Sequence, residues 1–279
     1  MNHMHRHTVP ENVAPTPLNR YLTRAFPRLP GWLIRDTLKK KDVRINGIKS
    51  GADAMVSGGD ELAIYIDDKY FSAPLTVIYE DAQLLVVEKP AGIPVDTDQA
   101  NIGSDTMLMR IQAHCASAQL CHRLDTGTGG VLIAAKTREA LAELTDAFKH
   151  HHLTKKYRCI VVGRPEYAEA KLTDYLIKDA GSSKVRIIKS AVPGALPVET
   201  HYKVLDTDGA LTLLEITLIT GRTHQIRAHL SSVSLPLLGD DKYGSRSANK
   251  QFGRSQPALW CTEIQWNNHT FRSKAPFHL

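Results

Sequence analysis

Short apolar runs separated by polar turns dominate the second half of the chain. Such runs predict strands at 84–87, 131–135, 157–162, 198–204, 210–220 and 258–266, with a loop or hairpin at 178–195. Thr137 can cap a helix, and another helix after residue 223 directs Ile226 and Leu230 inward. Because regular crossover helices do not join successive strands, we expect an α+β fold with a mixed, largely antiparallel sheet and flanking helices.

The first seventy residues have a different pattern. Residues 1–14 lack apolar periodicity, so we expect a disordered lead-in. Helical spacing then predicts two short helices, whose inward residues are Leu18, Tyr21, Leu22 and Ala25 in the first and Trp32, Leu33 and Leu38 in the second. Short strands at 43–45 and 61–65 follow, a linker is expected at 67–74, and Ser104 or Asp105 can begin a helix that reaches Ala118. The pattern predicts a small α+β domain at 15–68 and a larger domain at 75–279.

Positive charge is concentrated in the small domain. Between Leu18 and Lys49 there are nine basic and two acidic residues, whereas the rest of the chain has 26 basic and 27 acidic residues. A nearly neutral body with a small basic domain is typical of proteins that bind a polyanion. On charge alone, a solvated basic face without a partner is the other interpretation.

Composition narrows the class of protein further. The 279 residues contain no run of 18 apolar residues, so no membrane-spanning helix is expected, and the N-terminus lacks the apolar region of a secretory signal. The four cysteines form no CxxC pair, which favours reduced thiols in a cytoplasmic protein. We also find no phosphate-binding glycine loop and no dinucleotide fingerprint.

The stretch 122–130 is the strongest candidate for chemistry. It places His122, Arg123 and Asp125 just before the apolar run 131–135, and the glycines after Asp125 permit a tight bend that enters the core. Burial can raise the pKa of a carboxyl group by about 3–5 units, so Asp125 needs a cation nearby to stay charged. A guanidinium about 4 Å away contributes about 4 kcal/mol at an effective dielectric of 20, which offsets roughly 3 pKa units.

Four segments, in order, resemble one enzyme family. Residues 122–130 read HRLD, two residues, then Thr-Gly-Gly; the others are K-x-Y at 155–157, GR-x-HQIR-x-H at 221–229 and PL-x-GD-x-x-YG at 236–244. This combination resembles the RluA-type pseudouridine synthases, which isomerise uridines in large-subunit ribosomal RNA and some tRNAs. Within the small domain, residues 38–47 and 59–62 resemble the alpha-L RNA-binding domain.

The resemblance implies roles for the matched residues. Asp125 would be the catalytic carboxylate, acting on the ribose or the uracil ring or assisting glycal formation. Tyr157 would stack on the target base and help to move a proton, Arg222 would pair with Asp125, and Arg123 would fill the space of the flipped uridine. The other residues implied in substrate binding are His122, Arg227, Lys39, Lys40 and Arg44.

The implied reaction breaks the N1–C1′ bond, turns the uracil and joins carbon 5 to C1′. It involves no redox change and no phosphate transfer, so we expect neither a cofactor nor a metal. The resemblance also implies RNA as the partner, no membrane, and a monomer. Ribosomal RNA of the large subunit is the expected substrate, with tRNA as the alternative.

Two departures from the family pattern bear on function. Gly129 stands where the family usually has Ser, from which we expect altered loop packing and retained activity; many members also have a His or Ser near Asp96. One alternative function is a non-catalytic RNA-binding or ribosome-assembly protein on the same scaffold. Another is a glycosidase that pairs Asp125 with Asp96 or Asp98.

Overall fold

The chain forms two compact units. The computed structural model describes residues 2–26, 29, 31–67, 75–96, 106–179 and 184–279. Contacts between Cα atoms group Met1–Leu75 with Asp96–Ala116 in one unit, and Thr76–Val95 with Ser117–Leu279 in the other. Residues 68–74 of the predicted linker, and the candidate caps Ser104 and Asp105, lie outside the described residues.

The first unit contains short helices and a small antiparallel sheet. Its described helices are α1 (Leu18–Ala25), α2 (Gly31–Lys39) and α3 (Met107–His114). Its described strands are β1 (Asn2–Thr8), β2 (Thr16–Pro17), β3 (Val43–Ile45), β4 (Ile48–Ser50), β5 (Met55–Val56) and β6 (Glu61–Asp67). The sheet has the order β1-β6-β3-β4, and β2 pairs with β5. Leu18, Leu22, Leu33 and Ile64 lie in its core.

The N-terminal residues differ from the prediction, because 2–8 form an ordered strand. The predicted disordered lead-in is wrong: β1 pairs with β6 in antiparallel register from Asn2 opposite Asp67 to Thr8 opposite Glu61. Val9, directly after it, is buried. Since β1 lies at the edge of the sheet, its order comes from backbone pairing with a distant strand and leaves no apolar periodicity in its own sequence.

Two helices also differ in detail from the prediction. Trp32 was expected to point inward, but it is 51% exposed, and Ile34 is buried on α2 beside Leu33 and Leu38. The helix predicted to reach Ala118 ends at His114, because the next residue takes an extended conformation. Thr106 caps this helix by accepting a hydrogen bond from the backbone N–H of Met109 at 3.2 Å.

The second unit is built on one large sheet. Its described helices are α4 (Arg138–Lys149), α5 (Gln225–Ser232) and α6 (Arg246–Gln251). Its described strands are β7 (Thr76–Glu80), β8 (Leu84–Lys89), β9 (Gln119–Leu120), β10 (Gly129–Ala135), β11 (Thr154–Val162), β12 (Glu169–Lys178), β13 (Val185–Ile188), β14 (Leu196–Thr207), β15 (Leu211–Leu218), β16 (Leu259–Trp266) and β17 (His269–Arg272).

This sheet confirms the predicted fold class. Its order is β13-β12-β14-β15-β11-β16-β10-β8-β7, and every described pair is antiparallel except β10 with β16. The predicted buried run 131–135 lies in β10, all of whose residues are buried. The sheet brings together the loop that enters β10, the start of β11 and the turn that leaves β15. Among the described helices, none is long and apolar enough to cross a membrane.

Candidate active site

A buried lysine fixes the loop that carries Asp125 between β9 and β10. The side chain of Lys89, at the end of β8, is fully buried. Its Nζ atom donates hydrogen bonds to the carbonyl oxygens of Thr126 at 3.0 Å, Thr128 at 2.7 Å and Pro90 at 3.1 Å. Since an ammonium group has three hydrogens to donate, these carbonyls allow the charge to be buried. Sequence reasoning missed Lys89, although a lysine ending an apolar strand was a visible signal.

Two glycines at the start of β10 let the loop approach β16 closely. A Cβ atom on Gly129 would overlap the ring of Trp260, its partner in the parallel pair of strands. A Cβ atom on Gly130 would overlap the backbone of Cys261, and the φ of Gly130 is +110°. The family usually has Ser at the position of Gly129. Here the indole ring of Trp260 occupies the space that the Ser side chain would need.

Asp125 pairs with Arg227. The Arg227 Nη1 atom lies 3.3 Å from Asp125 Oδ2, and His224 Nε2 lies 4.0 Å from the same oxygen. Arg227 is buried and also donates two hydrogen bonds to fully buried Asp240, from Nε at 2.7 Å and from Nη2 at 2.8 Å. Burial disfavours the charge of this guanidinium, but its bonds with Asp240 and Asp125 raise its pKa.

The expected ion pair between Arg222 and Asp125 is not among those that the described residues form. Arg222 is exposed. Arg227 belongs to α5, and its hydrogen bonds with Asp240 orient its guanidinium group. The Asp125 carboxylate is also less buried than expected, with 22% of its side chain exposed. The pairing inferred from the family pattern is therefore corrected to Arg227, and a catalytic role for Arg222 stays a prediction.

Gln225 holds the turn between β15 and α5. Its Oε1 atom accepts hydrogen bonds from the Thr220 hydroxyl at 2.8 Å and the Arg222 backbone N–H at 3.0 Å. Its Nε2 atom donates to the Glu199 carbonyl and the Thr200 hydroxyl, each at 3.0 Å. Both N–H donors and both acceptor positions of this buried amide therefore have hydrogen-bond partners. Sequence reasoning did not single out Gln225, because its partners lie on β14 and in the turn after β15, and the local pattern does not show that they meet.

Tyr157 lies on β11 and lines the same cleft as Asp125. Its side chain is buried and interacts with the nearby Cys261 thiol. Burial, together with Cys261 and the charge of Asp125, raises the pKa of Tyr157 well above 10. The phenol is therefore neutral at physiological pH, so it can contribute a ring face and an O–H donor.

His122 and Arg123 take different positions on the loop. His122 stacks on Phe148 with ring centroids 4.3 Å apart, and its Nε2 atom accepts the backbone N–H of Ile133 at 3.0 Å. Burial and the charge of Lys155 lower the pKa of His122 to about 3, so the ring is neutral. Arg123 is exposed, which leaves its guanidinium accessible at the cleft.

These side chains line a cleft of about 370 Å³. A volume near 300 Å³ or more is typical of small-ligand sites. Among the described residues that line it, Asp125 is the one carboxylate, whereas the positively charged ones are Arg123, Lys149, Lys155, Arg222 and Arg227. The second carboxylate that a glycosidase would need is not among these lining residues, and Asp98 lies outside the described part of the chain.

The three basic residues predicted to bind RNA lie in the first unit. Lys39 ends α2 and is exposed. Lys40 pairs with Asp36 at 2.7 Å on the surface, and the guanidinium carbon of Arg44 lies 5.6 Å from the centre of the Tyr65 ring. Solvent-exposed pairs such as the one with Asp36 are weak, so Lys40 can exchange its partner for a phosphate at little cost.

The cleft and the sheet define a class of enzyme. Residues 83–232 match the family described as RNA pseudouridylate synthase, and the chain belongs to that family. It is 34% identical over 254 residues to "Ribosomal large subunit pseudouridine synthase C" of Rickettsia felis, covering 82% of each chain. It is 33% identical over 258 residues to "Ribosomal large subunit pseudouridine synthase D" of Nitrosomonas europaea, covering 86% of this chain and 72% of the relative.

Solved structures share the fold. "Human RNA Pseudouridylate Synthase Domain Containing 4" superposes with a TM-score of 0.59 at 24% identity, covering 72% of this chain and 88% of that chain. "Human RNA Pseudouridylate Synthase Domain Containing 1" gives a TM-score of 0.61 at 21% identity, covering 73% and 84%. At these identities, the likeness concerns the architecture of the sheet and its helices.

Proposed function

We propose that this protein isomerises uridine to pseudouridine in large-subunit ribosomal RNA. The observation that carries this proposal is the pairing of Asp125 with buried Arg227 in a cleft whose other described charges are positive. The names of the similar proteins support ribosomal RNA as the substrate, and tRNA is the second candidate.

In this proposal, the target uridine leaves the RNA stack and enters the cleft. Enzymes that act on a base inside a helix extrude the nucleotide into a pocket. The ring of Tyr157 provides a surface on which the base can stack, and such stacking is worth about 1–3 kcal/mol per base. The proposed role of Arg123, which is exposed beside the cleft, is to fill the space that the uridine leaves.

Asp125 is the proposed catalytic carboxylate. During the reaction the N1–C1′ bond breaks, the uracil turns, and the C5–C1′ bond forms. Carbon 5 loses a proton and N1 gains one, so the atoms of the substrate are conserved. Asp125 acts on the ribose or the uracil ring, or assists glycal formation, and Arg227 orients its carboxylate. Because the Tyr157 phenol is neutral, we propose that it contacts the base, and we favour this role over removal of the proton from carbon 5.

The experiment uses RNA tritiated at carbon 5 of uracil. The protein should release tritium from large-subunit ribosomal RNA, whereas Asp125→Asn should release none and bind RNA within a few-fold of the natural protein. Binding without release by the natural protein would favour the non-catalytic alternative. Free uracil as the product would indicate a glycosidase.

Mapping pseudouridines in RNA from cells with and without the gene identifies the substrate. Loss of a pseudouridine from large-subunit RNA supports the proposal, and loss from tRNA alone supports the alternative. We further propose that the enzyme acts as a monomer in the cytoplasm, where its four free cysteines would stay reduced. Sedimentation equilibrium with and without RNA tests the monomer.

A further inference from the structure

A lysine in the cleft has no protein partner that explains its burial. Lys155 lies on β11 two residues before Tyr157, so both side chains point to the same face of the sheet. The Lys155 side chain is 96% buried, since its exposed fraction is 4%. Its Nζ atom forms no hydrogen bond and no ion pair among the described residues, although it lines the cleft. Burial, and to a smaller extent Arg222, lowers the pKa of Lys155 to about 8.

His151 adds a second unsatisfied group. Its Nδ1 atom is buried and has no hydrogen-bond partner among the described protein atoms. Its backbone has φ +61°, a left-handed conformation that is unusual for a residue with a side chain and often occurs at functional sites. Burial lowers the pKa of His151 most, and the charges of Lys155 and Arg222 lower it further, so these two side chains act on His151 through their charge.

Arg222 completes the group. Its guanidinium forms no ion pair in the described part of the chain, while its backbone N–H is held by Gln225. The preceding residue, Gly221, would place a Cβ atom 3.3 Å from Lys155 Nζ, so the glycine leaves room around the ammonium group. The turn held by Gln225 therefore presents an exposed cation beside a buried one.

We propose that Lys155, His151 and Arg222 form a phosphate-binding subsite of the cleft, which takes a backbone phosphate of the RNA beside the extruded uridine. A phosphodiester offers several acceptor oxygens and a negative charge, which matches an ammonium, a guanidinium and a ring N–H. A neutral uracil carbonyl could accept from one of them but would leave two cations without a counterion. The identity of the RNA rests on the proposed function, whereas the binding of a phosphate group does not.

The test compares three probes by NMR of the labelled protein: inorganic phosphate, uridine, and the dinucleotide UpU. UpU should shift the side-chain signals of Lys155 and His151, and uridine alone should leave them unchanged. Inorganic phosphate should shift the same signals but bind more weakly than UpU, because UpU also gains from base contacts. Shifts with phosphate but none with UpU would indicate a free-anion site and overturn the proposal, as would equal shifts with uridine and UpU.

Matched variants connect these shifts to residues. Lys155→Met should bind UpU about tenfold more weakly, as expected for the loss of a charge-assisted hydrogen bond. Lys156→Met is the control, since Lys156 is the next residue on the strand and lies 3.9 Å from Glu263; it should bind UpU normally. Lys155→Arg keeps the positive charge and should keep most of the affinity for UpU. Normal binding by this variant would show that the position tolerates substitution, so that the loss in Lys155→Met comes from the missing charge. Unchanged binding by Lys155→Met would overturn the proposal.

The tritium assay separates the two proposals. Phosphate-dependent shifts at Lys155 without tritium release would leave the subsite intact and remove the proposed isomerase function. Tritium release without those shifts would retain the isomerase and remove the subsite.

Discussion

At the residue scale, one guanidinium is hydrogen-bonded to two carboxylates. Arg227 gives its Nε and Nη2 atoms to Asp240, and Nη1 is left for Asp125. Asp240 also accepts the backbone N–H groups of Lys242 and Tyr243, so its own position is fixed. The direction of the Arg227 side chain is therefore set by Asp240, and Asp125 receives a preoriented partner.

We predict that Arg227→Met and Arg222→Met have different effects on stability. Removing Arg227 leaves Asp240 buried without its cation, which should cost about 3–5 kcal/mol of unfolding free energy. Arg222 is exposed, so its replacement should change stability by less than about 0.5 kcal/mol and act on RNA binding. Urea denaturation measures both variants. Equal losses of stability would show that Arg222, and not only Arg227, supports the site.

The pair of Arg227 and Asp240 should also give stability a defined pH dependence. Burial alone would raise the pKa of Asp240, but hydrogen bonds and charge from Arg227 lower it below its ordinary value of 3.8. A carboxyl group with a lowered pKa in the folded state contributes stability above its unfolded pKa, and that contribution disappears as the pH falls through the folded value. The stability difference between the natural protein and Asp240→Asn should therefore be constant from pH 7 to pH 5 and shrink below about pH 4. A difference that grows with acid would contradict this assignment.

The sequence could not distinguish Arg222 from Arg227 as the partner of Asp125. Both arginines lie in one motif, five residues apart, and either spacing is compatible with an ion pair. The choice depends on a left-handed turn at His224, with φ 54°, and on the position of Asp240 after the helix. Neither is a property of the local pattern, whereas the Asp125 loop itself could be predicted from its glycines and the apolar run that follows.

At the scale of elements, prediction succeeded where a strand or helix carries its own apolar pattern. β8 and β10 are central strands, and both were found as apolar runs. β1 and β12 were missed because few of their residues are buried, so pairing with neighbouring strands determines them more than local sequence does. The same non-local pairing places Trp260 against Gly129, which no local pattern indicates.

The contact between β10 and β16 gives a paired prediction. Gly129→Ser should destabilise the protein by about 1–3 kcal/mol, because its Cβ atom would overlap the indole ring of Trp260. In a Trp260→Leu background the same substitution should cost clearly less, as neighbouring changes are not additive. Gly130→Ser is the contrast: its obstacle is the backbone of Cys261, so the Trp260 change should not rescue it. Thermal unfolding of the five variants measures the coupling, and equal rescue at both glycines would rule out the ring as the cause.

For the whole molecule, charge is divided between a basic first unit and a catalytic unit with a basic cleft. In the proposed function, the first unit holds the RNA backbone through Lys39, Lys40 and Arg44, while the cleft acts on one uridine. Contacts of this kind release counterions, so they should appear in the salt dependence of RNA affinity. They should not appear in the rate of isomerisation once RNA is saturating, because none of the three lines the cleft.

Replacing Lys39, Lys40 and Arg44 together by Gln should therefore weaken RNA binding and flatten its dependence on salt. Each lost contact to single-stranded RNA lowers the slope of log affinity against log salt by about 0.7, so three contacts lower it by about 2. The control replaces the exposed residues Arg138, Lys171 and Lys178 of the second unit by Gln, which removes the same charge outside the cleft. If the first unit is a specific docking surface, RNA affinity and its salt dependence should fall far more in the first variant than in the control. Equal slopes would mean that net charge alone, and not the first unit, attracts the RNA, and a loss of tritium release at saturating RNA would mean that the first unit also shapes the active site.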